Sequence, residues 1–201
     1  MKALFLGSHC DDVDLGCGAT IHKHRTDWDI QCAVLCNLGY FDGTLKNIQS
    51  IATRSLNNLG VKNVLFGGFH PDEFIHQRQK IWVFLSEINK NFAPDIVVVQ
   101  SPDEHPDHKI LNQECIRIFR HRTILEYHVT RSEKTHECDT FECVSRDNID
   151  AKLRSAEIYG EIYKNKNYLE KDNVLAQLKF TGIYPGLDNA EGYKTITRIG
   201  I

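Results

Sequence analysis

The feature that most constrains the fold of this chain is an alternation of strand-like and helix-like segments, repeated four times over its first 130 residues. Residues 2–7 form a short apolar run ending at Gly7, and Ile30–Leu35 and Val61–Phe66 repeat the strand signal. Ile96-Val97-Val98-Val99 is an unbroken β-branched run, which suits a central strand covered on both faces. Between these runs the period changes to that of a helix. A helix is expected from about Gly18 to Arg25. Another runs from Lys46 to Leu59, where Ile48, Ile51, Ala52, Leu56 and Leu59 share one face and Gly60 supplies a stop. Ile81, Leu85, Ile88 and Phe92 mark a third, with Pro94 just beyond it, and a fourth spans Lys109 to about Arg120 before a strand near Thr123–Val129. Strands that alternate with helices in this way are joined by right-handed crossovers, which predicts an α/β fold with a doubly wound, mostly parallel sheet.

A chain of 201 residues can bury a core of its own, and a single domain over residues 1–201 is expected. Residues 1–130 form its core and residues 131–201 a less regular part. In that second part Cys138–Val144 alternates like an edge strand, and Asn148–Tyr163 reads as a helix with another after it. The segment from Gly186 to Tyr193 is expected to fold back toward the site or toward a partner subunit. Charge excludes some partners. With 24 Lys and Arg against 27 Asp and Glu, and no basic cluster, the chain is a poor nucleic-acid or anionic-membrane binder. No apolar run approaches the roughly 20 residues of a membrane span, and no export signal is visible, so a cytoplasmic location is expected. The seven cysteines include no Cys-x-x-Cys pair and read as reduced thiols, most of them small buried hydrophobes.

Ligands of open α/β sheets bind beyond the carboxyl ends of the strands. The first strand is followed by Ser8-His9-Cys10-Asp11-Asp12-Val13-Asp14, the third by His70-Pro71-Asp72-Glu73, and the fourth by Asp103-Glu104-His105-Pro106-Asp107-His108. Three loops rich in His and carboxylate therefore belong along one sheet edge. Imidazole and carboxylate are the usual ligands of catalytic zinc, which keeps an open position for water. Each loop alone also has a plain structural reading. Asp11 and Asp12 can be negative charges at a helix start, and Pro106 can be helix-start chemistry before Lys109. It is the convergence of the loops that argues for a site.

His9-Cys10-Asp11-Asp12, then Leu15-Gly16-Cys17-Gly18-Ala19-Thr20, then His105-Pro106-Asp107-His108 resembles the PIG-L/LmbE family of zinc-dependent de-N-acetylases over residues 1 to about 120. The resemblance implies a Rossmann-like fold and a hydrolase that removes an N-acetyl group from a small, amino-sugar-containing substrate. It implies that His9, Asp12 and His108 bind Zn2+, with another divalent metal as the alternative ion. Asp11 would be the general base, and His105 would stabilise the oxyanion or protonate the leaving amine, its ring oriented by Asp107. Asp72 matches an acidic position that contacts sugar hydroxyls. A homo-oligomer also belongs to what the resemblance implies. The sequence departs from the family pattern at Cys10, where a Pro is usual, at Ala19, and on the helix before Gly60, where Lys46 or Arg54 would have to stand in for a missing Arg and Glu. Gly16 and Gly18 are expected to let helix and strand approach closely.

The competing reading is a catalytically inactive relative that binds metal or sugar in a regulatory or scaffolding role. The full Asp11 and His105 pair speaks against it, because a binder needs neither. A nucleotide-binding oxidoreductase or methyltransferase would need a glycine-rich phosphate turn after the first strand, where this chain instead carries acidic residues.

Overall fold

The run Ile96–Gln100 is a strand with every residue buried, and helices cover both of its faces. The computed structural model of the protein describes residues 1–41, 43–132, 137–164 and 166–200. In chain order the elements are β1 (Lys2–Gly7), α1 (Asp12–His24), β2 (Asp29–Val34), β3 (Leu38–Phe41), β4 (Thr44–Asn47), α2 (Gln49–Asn58), β5 (Asn63–Phe66), α3 (Phe74–Phe92), β6 (Ile96–Gln100), α4 (Pro106–Ile118), β7 (Thr123–Tyr127), β8 (Thr140–Cys143), α5 (Arg146–Gly160), a short 3-10 turn (Asn167–Leu169), α6 (Lys171–Ile183) and β9 (Ala190–Thr197). Seven strands form one sheet in the order β5-β2-β1-β6-β7-β9-β8. The first five run parallel, and β9 is antiparallel to both β7 and β8.

Alternate side chains of the parallel strands feed two separate cores. Ala3, Phe5, Ile96 and Val98 pack with α1, α2, α5 and α6, while Leu4, Leu6, Val97 and Val99 pack with α3 and α4. The sheet is therefore doubly wound. From β1 the chain moves outward to β2 on one side, and it returns to β6 on the other. The carboxyl ends of β1 and β6 thus flank the switch point at which an open α/β sheet binds its ligand.

Four features differ from the sequence expectation. Helix α1 starts at Asp12, six residues before Gly18, so two glycines lie within it at a helix cost of about 1 kcal/mol each. Tertiary contact explains Gly16, because a Cβ there would sit 2.1 Å from Tyr127 Cδ2; at Gly18 the nearest atom is 3.3 Å away, so that glycine is the looser of the two. Helix α4 starts at Pro106, not Lys109, since proline suits the first helical turn, where its missing N–H has no partner to lose. A two-stranded β3–β4 hairpin occupies Lys46, placed in a helix by its apolar neighbours. Finally, the segment expected to fold back on the site becomes the start of β9, which enters the sheet between β7 and β8. Its Glu191 accepts hydrogen bonds from the Ala19 and Thr20 amides of α1 (3.0 and 2.7 Å) and pairs with buried Lys152 of α5.

Candidate metal centre and active site

The two loops at the switch point are shaped by the helices they start. After β1 the chain turns through Ser8–Asp11, and Asp12 folds its carboxylate back to accept from the His9 amide at 2.7 Å. The end of β6 reinforces this turn, since the Gln100 side chain accepts from the Ser8 amide (3.1 Å) and donates to the Asp12 carboxylate. After β6, His105 caps α4 by accepting from the Asp107 amide through Nδ1 at 3.2 Å. Two helix N-termini from opposite faces of the sheet thus deliver their first-turn residues to one point.

Three donor atoms meet there. His9 Nδ1 lies 3.3 Å from Asp12 Oδ2, His108 Nε2 lies 3.6 Å from the same oxygen, and the two nitrogens are 3.3 Å apart. Donors about 2.0–2.2 Å from one tetrahedral ion stand about 3.3–3.6 Å from each other, so this triangle has the edge lengths of a zinc ligand set. The outward nitrogen of each ring is held by a carboxylate: His9 Nε2 contacts Asp107 Oδ2 at 3.1 Å, and His108 Nδ1 contacts Asp103 Oδ2 at 2.7 Å. Such partners fix the tautomer and aim the other nitrogen inward. The residues present fit a divalent metal.

The charge balance points the same way. Burial lowers the His9 pKa, but Asp12 and Asp107 overrule it and raise it to about 10. Burial also raises Asp12, yet His108 and His9 hold it down to about 2. This spot attracts positive charge. Asp11 behaves oppositely: burial first, then the neighbouring Asp12 charge, push its pKa up. The Tyr168 hydroxyl donates to Asp11 Oδ2 at 3.3 Å. At His105 burial, then His9 and His108, depress the pKa and favour the neutral ring.

His9, Asp11, Asp12, Asp72, His105 and His108 all line one cavity of about 370 Å3. Asp107 lies beneath it. Its carboxylate accepts from the Asp72 amide (2.8 Å) and contacts His9, so Asp107 orients His105 through its backbone amide and not through its side chain. Asp72 sits in the left-handed region at φ 63°, a conformation Asp tolerates better than most residues. Cys10 points away from the donors. Its thiol donates to the Cys36 carbonyl at 3.3 Å, and its own carbonyl accepts from Tyr159. Neither Lys46 nor Arg54 lines the cavity, and Arg54 pairs with Glu161 instead.

Sequence reasoning placed Asp103 in one of the acidic loops but gave it no role, and it missed Gln100, Arg131, Lys166 and Tyr168. Gln100 had a signal, a polar residue ending an all-apolar buried run. Arg131, Lys166 and Tyr168 had none, since they reach the cavity from loops of the irregular part.

Comparison with known proteins places this arrangement. Residues 4–119 match the family described as PIG-L: GlcNAc-PI de-N-acetylase. No curated protein sequence matches the chain. Among solved structures, the N,N'-diacetylchitobiose deacetylase from Pyrococcus horikoshii is 19% identical, with 97% of this chain and 83% of that one covered and a TM-score of 0.80. The zinc-inhibited form of teicoplanin deacetylase Orf2 is 13% identical over 97% of both chains, with a TM-score of 0.78. The 4-carboxy-2-hydroxymuconate hydratase GalB from Pseudomonas putida KT2440 is 14% identical over 100% and 98%, with a TM-score of 0.77. At these identities the likeness is one of fold, which deacetylases and a hydratase share. Among the described residues, no helix is long and apolar enough to cross a membrane.

Proposed function

The chain belongs to the PIG-L family, and from that premise we propose that it is a zinc-dependent hydrolase releasing acetate from a small N-acetylated amino sugar. The observation that carries this reading is the triangle of His9, Asp12 and His108 donors, with the Asp11 carboxylate beside it on the cavity wall. A divalent ion held by those three residues would polarise the amide carbonyl and lower the pKa of the attacking water.

The chain's own groups supply the remaining chemistry. Asp11 accepts the proton of the water as its oxygen bonds to the acetyl carbon, and its raised pKa brings it nearer to neutrality for that task. The Asp107 amide occupies Nδ1 of His105, which leaves Nε2–H as the donor of the neutral ring. That N–H can stabilise the oxyanion, and the proton that Asp11 took from the water passes to the nitrogen as the C–N bond breaks. Asp72, on the cavity wall, is suited to accept from sugar hydroxyls. A metal- or sugar-binding relative without turnover is the alternative.

Elemental analysis and acetate release together test the proposal. Purified protein is expected to hold close to one zinc per chain, and His108→Ala to lose it. Asp11→Asn should keep the metal and lose about 10²- to 10⁴-fold in turnover of N-acetylglucosamine derivatives. Wild-type turnover in Asp11→Asn would remove Asp11 as the base. Bound zinc without acetate release from any acetamido sugar would favour the binding relative.

A further inference from the structure

Asp11 stands at the N-cap of α1, yet its carboxylate makes no capping bond to that helix, so the side chain is left to other partners. In the reaction read above, this carboxylate handles one proton twice, first from the water and then to the amine nitrogen. Each transfer needs it within hydrogen-bond reach and at a fixed angle. A short side chain at a helix start turns between staggered positions unless a partner holds it.

The partners come from the C-terminal part of the chain, beyond the residues 4–119 that match the family. Tyr168, in the 3-10 turn, donates its hydroxyl to Asp11 Oδ2 at 3.3 Å. Arg131 fixes the direction of that hydrogen. Its side chain hydrogen-bonds Tyr168, and its guanidinium carbon lies 5.4 Å from the centre of the ring. A guanidinium can only donate, so it occupies a lone pair of the hydroxyl and leaves the proton for Asp11. The turn is itself anchored, because Leu169 is buried in the core and Asn173 Nδ2 of α6 donates to the Asn167 carbonyl at 2.7 Å. The main chain around Asp11 is held as well. Fully buried Tyr159 of α5 donates to the Cys10 carbonyl, which fixes the peptide unit before Asp11, and the Asp11 carbonyl accepts from the Leu15 amide at 3.1 Å.

We propose that Tyr168 is a positioning residue for the base: steadied by Arg131, and with Tyr159 fixing the main chain, it holds the Asp11 carboxylate in line for proton transfer. The inference rests on the reading of Asp11 as the base. It gives the C-terminal part a share in a site whose donors and base all lie within the family match.

A double-mutant cycle on the zinc-loaded full chain tests it. Acetate release is measured from N-acetylglucosamine and from 4-nitrophenyl acetate, an activated acetyl donor that needs no sugar contact. Tyr168→Phe removes one oxygen and keeps the ring beside Arg131. It is expected to keep its zinc and its KM while kcat falls about tenfold, as for a misaligned catalytic group. In the Asp11→Asn background the same replacement should cost less than about twofold, since no base is left to orient. A tyrosine that served only the fold would cost the same in both backgrounds, so an equal loss in the two overturns the proposal. Loss of zinc in Tyr168→Phe would do so too, by placing the action of Tyr168 at the metal. The parent reading is judged separately. Full turnover in Asp11→Asn itself removes the base, and no acetate from either compound removes the hydrolase. An impaired Asp11→Asn beside an unimpaired Tyr168→Phe removes only the positioning role.

Discussion

Two glycines of α1, two residues apart, should respond to the same substitution in opposite directions. Both lie in the helix interior, where Gly→Ala stabilises by about 1 kcal/mol through backbone entropy. At Gly18 an added Cβ would meet Lys152 Cγ at 3.3 Å, Leu59 Cδ1 at 3.4 Å and Lys152 Cβ at 3.6 Å, contacts that a small shift accommodates. At Gly16 it would meet three atoms of the Tyr127 ring, at 2.1, 2.6 and 2.9 Å. The ring cannot easily retreat, because Tyr127 is fully buried and its hydroxyl donates to the Leu6 carbonyl at 2.9 Å. Overpacking of this kind costs about 1–3 kcal/mol, and straining the hydroxyl bond about 1 more. Set against the helix gain, Gly16→Ala should lose about 2 kcal/mol, or about 4–8 °C in Tm for a chain of this size. Gly18→Ala should hold Tm or raise it by a few degrees. Displaced from β7, α1 also carries Asp11 and Asp12 out of register with His108, and a shift of about 1 Å can cost about 10²-fold in rate. Differential scanning fluorimetry and acetate release on both variants decide the matter. Equal Tm shifts at the two positions would refute the close-approach argument.

Two further perturbations probe residues that no motif pointed to. Asp103→Ala removes the partner of His108 Nδ1 and should weaken zinc binding by about 10–100-fold in a chelator competition, while far-UV circular dichroism stays unchanged; wild-type affinity would show that His108 needs no such support. Glu191→Ala strands buried Lys152 and frees the Ala19 and Thr20 amides, so it should cost about 3–5 kcal/mol by denaturant titration. Replacing both members of the pair by Met should recover part of that loss, whereas an additive loss would mean that the pair is not coupled.

Much of this protein is written locally. The switch from a period of two to one of 3.6 set the five parallel strands and their helices, because burial on a sheet face or a helix stripe is a property of neighbouring residues. The motifs His9–Asp12 and His105–His108 could be read as a site because strand ends in such sheets share an edge. Local signals failed where distant contacts overrode them. Gly16 looked like loop until Tyr127, more than a hundred residues on, filled the space above it. Strand β9 went unseen because it is placed by β7 and β8 on either side, and by Glu191 reaching α1 and Lys152.

The same division runs through the site. The sequence by itself determined which side chains can hold a metal and move a proton, since those capacities belong to residue types. Only the tertiary structure decided which carboxylate serves which ring: Asp107 supports His9, ninety-eight residues away, and Asp103 supports His108. It also decided that the basic residues lining the cavity are Arg131 and Lys166 and not Lys46 or Arg54. Hydrogen bonds and charge act over a few ångströms of space regardless of separation along the chain, so such pairings exist only once the fold has brought the loops together.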